Sequence, residues 1–306
     1  SMKIINLTEK EFDKFASTHK YRNYYQTSAY GRTISKNGYD IHYIGIIDDY
    51  NNLLGASLLL YKEVFMNYKI AYAPRGFLFD YLNITNLTEF TTRLKKLLGK
   101  QGFMLVKIDP LIPVNVRDNN GNIMNINNEA NIVLENLKST GYTYQGATLF
   151  FENEKPRFEA IVMLNKDIKE IYQGFEKRVK HKIKKAIRSG VEIYKGDKDD
   201  LETFYELIKK KYNKPLNYYI DLYNNFEEDI DLYFAKLNTE TFVVTSRLQY
   251  EKEIEENNEL ANKIQNATNT NVKKKLINEK IESDKLVNIY KKNLVWATNL
   301  LKDNPE

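Results

Sequence analysis

Between Thr245 and Leu301 the chain contains neither glycine nor proline and is rich in Glu, Lys and Asn. With nothing to break a helix, the backbone of this stretch stays helical apart from one turn, which the polar run 266–271 supplies. Tyr250, Ile254, Ala261 and Ile264 before the turn, and Val287, Tyr290, Leu294, Ala297 and Leu301 after it, fit an imperfect heptad seam. The expected structure is an antiparallel coiled-coil helical hairpin over residues 242–302, with helices of roughly 20 residues or more reaching about 30 Å or farther. A stripe of this kind reports packing and carries no chemistry.

The second strong constraint lies in residues 175–193. Phe175, Val179, Ile183, Ala186 and Ile187 recur at helical spacing, so one stripe packs while Arg178, Lys180, Lys182, Lys184, Lys185 and Arg188 radiate from the rest. Gly190 is placed to stop that helix, and residues 191–194 alternate as a strand does. So dense a set of cations suits a polyanion such as a diphosphate or a nucleic-acid backbone; the alternative is a solvated helix face.

A chain of 306 residues exceeds one average domain, and 42% hydrophobic with 13% aromatic content builds real cores. The net charge of +5 is mild, but the excess clusters after residue 176. The absence of Cys excludes a disulfide framework, a thiol nucleophile and a cysteine-ligated metal. His19, His42 and His181 are scattered, so neither a metal nor any other cofactor is expected. No apolar run approaches the ~20 residues of a membrane span, and the expected location is the cytoplasm.

Along the chain, a strand at 3–7, a helix carrying Phe12 and Phe15, and a helix capped by Thr27 or Ser28 precede a hairpin of strands 41–47 and 54–64. A strand at 68–73 runs into the bend Pro74-Arg75-Gly76-Phe77. A helix at 88–98, a buried strand at 103–108 ending at Asp109-Pro110, the turn at 118–121 and a helix at 128–139 follow, with short strands near Tyr142 and Thr148. A second unit starts near Pro156 with a strand at 159–164 and the basic helix. It continues with helices at 199–212 and 216–226 and a strand at 231–237. The fold class is α+β, or mixed α/β, with domains at 2–155 and 156–241 followed by the hairpin at 242–302.

No nucleophile constellation or glycine-rich phosphate loop is present, and the turn by which acetyl-CoA-dependent acyltransferases hold pyrophosphate is missing. What remains stands at strand ends. Asp109 either accepts a proton or caps a turn. Arg75 either holds a phosphate or carboxylate or pairs with Asp80. Tyr218, Tyr219 and Tyr223 on one short helix either stack on a base or sugar and donate hydrogen bonds, or pack a core.

Five segments in order resemble the Fem family of peptidoglycan bridge aminoacyltransferases, with FemX-like members nearest. They are Gln26-Thr27-Ser28, Tyr72-Ala73-Pro74-Arg75-Gly76-Phe77 leading to Asp80-Tyr81, Lys107-Ile108-Asp109-Pro110, the basic helix ending Ala186-Ile187-Arg188-Ser189-Gly190-Val191, and the helical hairpin. The resemblance implies two acetyltransferase-like domains and a coiled-coil arm. It implies transfer of Gly, Ala or Ser from aminoacyl-tRNA to the stem-peptide side-chain amine of lipid II or UDP-MurNAc-pentapeptide. Peripheral contact with the inner membrane face and association with itself or related Fem proteins are compatible with it.

Carried over residue by residue, the cations near the acceptor diphosphate fall on Arg178, Lys180 and Lys182, the first two exchanged relative to the family's Lys-x-Arg order. A lysine that the family often places eight residues after the Gln falls on Ile34, with Arg32 and Lys36 as neighbours. Family members continue where this chain reads Asn304-Pro305-Glu306, so the expectation is an incomplete second domain, and a chain that alone binds poorly or lacks activity. The alternative reading is a non-catalytic tRNA- or RNA-binding module built from the basic helix and the arm.

Overall fold

The computed structural model describes residues 1–145 and 158–304. In chain order the elements are β1 (Lys3–Asn6), α1 (Glu9–Ala16), α2 (Ser28–Ser35), β2 (Asp40–Ile47), β3 (Leu53–Phe65), β4 (Tyr68–Ala73) and β5 (Leu78–Phe79). Next come α3 (Ile84–Lys100), β6 (Phe103–Ile108), β7 (Asn115–Arg117), β8 (Ile123–Ile126), α4 (Glu129–Ser139), α5 (Ile168–Gln173), α6 (Lys177–Arg188) and β9 (Val191–Gly196). The described chain closes with α7 (Leu201–Ile208), α8 (Leu216–Phe226), β10 (Leu232–Leu237), α9 (Thr239–Asn266) and α10 (Thr270–Asp303).

Among the described residues two compact units form, the first from 1–145 and 197–230, the second from 158–196 and 231–304. The second unit begins at 158, close to the boundary expected near 156, but residues 197–230, expected in the second unit, group with the first. Helices α7 and α8 belong to the first unit because α8 is tied to α2. Arg32 donates to the Asn225 carbonyl at 3.2 Å, and Asn37 donates to the Asp221 carboxylate at 3.1 Å. Helices α9 and α10 share the second unit with α6 and β9 rather than standing as a third.

The first unit is built on a sheet of order β1-β2-β3-β4-β6, with β5 also paired to β3. The β2–β3 hairpin closes at Asp48, whose carboxylate accepts from the Tyr50 and Asn52 amides. All pairings are antiparallel except β4 with β6, which run parallel from Lys69 opposite Phe103 to Ala73 opposite Ile108. Helix α3 makes that crossover, burying Leu87, Phe90, Leu94 and Leu98 on one stripe. It begins at Ile84 rather than 88 because Asn83 accepts the Asn86 amide as its cap. The core gathers Phe12, Ile44, Ile46, Leu58, Phe77, Phe79 and Tyr81.

Several expectations need correction. Strand β6 is not buried: Met104 is 62% and Leu105 56% exposed. The Asp118 turn joins two short strands, β7 and β8, that the sequence reading left out. Tyr142 lies in no strand, its hydroxyl accepting instead from Thr91 at 3.0 Å, and residues 159–164 form no strand. Thr148 and Pro156 lie outside the described residues. The helix expected at 199–212 is a short 3-10 turn at Lys198–Asp200 followed by α7, which ends at Ile208.

In the second unit, Gly190 has a φ of +95° between α6 and β9, and a Cβ there would lie 2.8 Å from Thr241 Cβ. β9 pairs antiparallel with β10. Helices α9 and α10 turn back on each other at residues 267–269, so Phe242 meets Trp296, and Asn257 donates to Ser283.

Candidate active site

Two parallel strands end side by side at Ala73 and Ile108, and the carboxyl ends of parallel strands are where open α/β sheets place ligands. The residues that follow are Pro74-Arg75-Gly76 from β4 and Asp109 from β6. Asp109 joins the two. Its Oδ1 accepts the Arg75 backbone N–H at 2.6 Å and its Oδ2 accepts the Tyr72 hydroxyl at 2.6 Å. Burial, then the Asp109 hydrogen bond, push the Tyr72 phenol pKa far above its usual value, so Tyr72 stays a neutral donor to Asp109.

The turn is gripped from its other side by residues before α2. Strand β3 pairs with β5 at Gly55 and Ala56 and with β4 from Leu60 onward, which leaves Leu58 in a gap of the ladder. Gln26, 1% exposed, fills that gap. Its amide oxygen accepts the Leu58 N–H at 2.8 Å, and its amide nitrogen donates to the Pro74 carbonyl at 2.9 Å and the Leu58 carbonyl at 3.3 Å. Asn23 donates to the Arg75 carbonyl at 3.1 Å and the Tyr81 hydroxyl to the Phe77 carbonyl at 2.7 Å. Arg75 takes a left-handed φ of +50°. Gly76 is closely packed, and a Cβ there would sit 2.8 Å from the Gln26 amide nitrogen and 2.9 Å from Ser57 Oγ. The Arg75 backbone is thus held by main-chain and side-chain bonds on both flanks.

An aromatic surface adjoins this turn. Tyr24 and Tyr25 lie with ring centroids 3.9 Å apart, and Tyr25 meets Tyr30 edge-on at 5.1 Å. Phe226 of α8 approaches Tyr24 edge-on at 6.3 Å. Burial raises the hydroxyl pKa of Tyr24 and Tyr30 well above the usual range, and that of Tyr218 to about 12. The surface is tied to Asp109 through Asn23, which precedes Tyr24 and donates to the Arg75 carbonyl, while the Arg75 N–H donates to Asp109. At physiological pH the phenols of Tyr24, Tyr30, Tyr72 and Tyr218 are therefore neutral.

The structure thus brings Arg75, Asp109 and Tyr218 into the first unit's aromatic and polar cluster. Tyr219 meets Tyr218 edge-on at 5.3 Å and Phe204 of α7 edge-on at 5.4 Å, and Tyr223, one helical turn on, is half-buried. Lys36 is exposed at the C-cap of α2, whereas its neighbour Arg32 is bound to Glu9 at 2.7 Å. Arg178, Lys180 and Lys182 belong to the second unit. Lys180 donates to the Gln173 carbonyl at 2.8 Å, and Arg178 and Lys182 are exposed one turn apart. The stripe expected to pack this helix is only partly covered, with Ile187 67% exposed. The sequence reading missed Asn23 and the Tyr24, Tyr25 and Tyr30 cluster, and quoted Tyr72 without its role. It quoted Gln26 without its role, although a Gln preceding two capping hydroxyls was the available signal.

A model of the FemAB family matches residues 7–295. Among curated proteins, the aminoacyltransferase FemA of Staphylococcus epidermidis is 27% identical over 194 residues, covering 63% of this chain and 46% of that protein. The lipid II:glycine glycyltransferase of Staphylococcus aureus is 24% identical over 204 residues, covering 66% of this chain and 45% of its own length. The chain therefore spans about half the length of the curated relatives it matches. A crystal structure of FemX superposes with a TM-score of 0.66 at 22% identity, over 99% of this chain and 74% of that one, so the fold is shared.

Proposed function

The chain belongs to the FemAB family, and on that premise we propose that it takes part in building the peptidoglycan bridge by transferring an amino acid, Gly, Ala or Ser, from aminoacyl-tRNA to a cell-wall precursor. The observation that carries this reading is the family match along nearly the whole chain. The acceptor is the side-chain amine of the stem peptide in lipid II or UDP-MurNAc-pentapeptide. The reaction is aminolysis: the amine nitrogen attacks the ester carbonyl, the new C–N bond forms, and the C–O bond to the tRNA ribose breaks. The ribose hydroxyl departs with the proton that the amine gives up. Such a step needs positioning more than a covalent nucleophile, which agrees with a site made of strand ends and a clamped turn.

Within it, Arg75 offers a guanidinium to a carboxylate or phosphate of the acceptor, and Asp109 holds the turn that presents it. Both Asp109 oxygens already accept hydrogen bonds, which fits a positioning group better than a proton acceptor. In the second unit the exposed Arg178 and Lys182 and the half-buried Lys180 suit a precursor diphosphate, and in the first unit the exposed Lys36 suits a substrate anion and Tyr218, Tyr219 and Tyr223 suit substrate contacts from α8. Among the described residues no helix is long and apolar enough to cross a membrane. A tRNA donor places the reaction in the cytoplasm, with peripheral contact at the membrane where the acceptor is lipid-linked. Incubation with charged tRNA carrying labelled Gly, Ala or Ser tests the reading. Label on the precursor amine supports it, and RNA binding without transfer would favour a binding module.

A further inference from the structure

The aromatic surface beside the strand-end turn is more than core packing requires. Tyr30 is buried, and Tyr25, Tyr72 and Tyr218 are half-buried, but Tyr24 is 53% exposed while it lies 3.9 Å from Tyr25 and takes the edge of Phe226 at 6.3 Å. Its ring is therefore held in place by neighbours while much of it stays open to solvent. Lys214 adds a cation 5.1 Å from the Tyr218 ring centroid. A ring fixed by aromatic neighbours, with neutral phenols and a cation beside it, is the chemistry that stacks a nucleobase.

We propose that Tyr24, supported by Tyr25 and flanked by Tyr218, is a stacking platform for the terminal adenine of the tRNA donor. This rests on the aminoacyl-transfer reading and adds to it the place where the donor's last base lies. Both substrates of that reaction can carry a base, and chain length decides between them. The aminoacyl ester is borne by the ribose of the terminal adenosine itself, so its base lies within one nucleoside of the reacting carbonyl. The uracil of a UDP-linked precursor is separated from the reacting amine by a diphosphate, a sugar and several amino acids. A base platform whose neighbour Asn23 bonds the Arg75 carbonyl, with Arg75 in turn bonded to Asp109, fits the nearer base. A purine also offers the larger stacking surface.

The test needs no transfer activity. The probe is the trinucleotide cytidine-cytidine-2-aminopurine riboside, whose fluorescence is quenched when its base stacks, titrated into the 306-residue chain. Quenching is expected with the wild type and with Tyr24→Phe, which keeps the ring. Tyr24→Leu, which keeps apolar bulk without a π face, should weaken binding roughly 5- to 150-fold. Circular dichroism confirms that the leucine variant is folded, as replacement of a half-exposed side chain predicts. No quenching by the wild type, or equal affinity for the Tyr24→Leu variant, would overturn the proposal. Displacement of the probe by UDP at matching concentration would also overturn it, assigning the platform to the precursor. Transfer with unaltered dependence on tRNA in the Tyr24→Leu variant would sink the platform and leave the reaction standing.

Discussion

Gln26→Leu is the most direct probe of how the Arg75 turn is held. The two side chains are close in volume, so little cavity forms, and the loss is one of hydrogen bonds. The Leu58 N–H, bonded to Gln26 at 2.8 Å, and the Pro74 carbonyl, bonded at 2.9 Å, lose this partner in the buried interior. The Leu58 carbonyl keeps Ser57 Oγ at 3.0 Å and loses less. At about 1–3 kcal/mol for each of the two stranded groups, the substitution should cost about 2–6 kcal/mol. For a unit of this size that lowers the melting temperature on the order of 10 °C. Gln26→Glu sharpens the test. A carboxylate accepts from Leu58 N–H but must be protonated to donate to either carbonyl, so its folded pKa rises above the ordinary ~4.3. Its stability relative to wild type is then greatest below that value and falls as pH rises through the raised folded pKa. Denaturant titration across pH measures both. A loss below about 1 kcal/mol for Gln26→Leu, or a flat pH response for Gln26→Glu, would refute the view that this amide closes the ladder gap.

Asp109→Asn keeps one acceptor for two donors, so it should cost about 1–2 kcal/mol of stability and reduce transfer less than tenfold. A 10²–10⁴-fold rate loss at unchanged stability would instead make Asp109 the proton acceptor. Burial holds the pKa of His19 and His42 below the usual histidine value, against the opposing pull of Asp80 on His19. The unfolded chain therefore binds more protons, and stability should decline as pH falls below about 6.5. Comparing denaturation midpoints at pH 7.5 and 5.5 checks this, with the slope reduced in His19→Gln/His42→Gln. Gly190→Ala should lower the stability of the second unit by more than about 1 kcal/mol, because φ is +95° and Asn238 O would lie 3.0 Å from the new Cβ. Thermal melting reads the loss, and an unchanged midpoint would contradict it.

Local signals carried much of the fold. Thr8 with Glu11 before α1 and Thr27 before α2 mark helix starts by capping chemistry that a sequence shows directly. The strand at Tyr68–Ala73 and the glycine stop at Gly190 were equally legible. What the sequence hid depends on partners far along the chain. The allegiance of α8 to the first unit rests on Arg32 with Asn225, a pair separated by 193 positions. The exposure of β6 follows from its place at the edge of the described sheet, and a run of apolar residues does not reveal which strand lies outermost. At the site, Arg75 and Asp109 stood out as strand-end residues beside Pro and Gly. Tyr72 and Gln26 did not, since one resembles an ordinary strand tyrosine and the other a surface amide until the ladder gap at Leu58 is seen.

The central measurement is transfer of radiolabelled Gly, Ala and Ser from charged tRNA to UDP-linked pentapeptide and to lipid II, with the 306-residue chain and a C-terminally extended form assayed side by side. The proposed reaction predicts that one amino acid appears on the stem-peptide side-chain amine, and that ribonuclease treatment of the donor abolishes it. No transfer by either form, with tRNA still bound, would contradict the proposed reaction and leave a nucleic-acid-binding protein on the same fold.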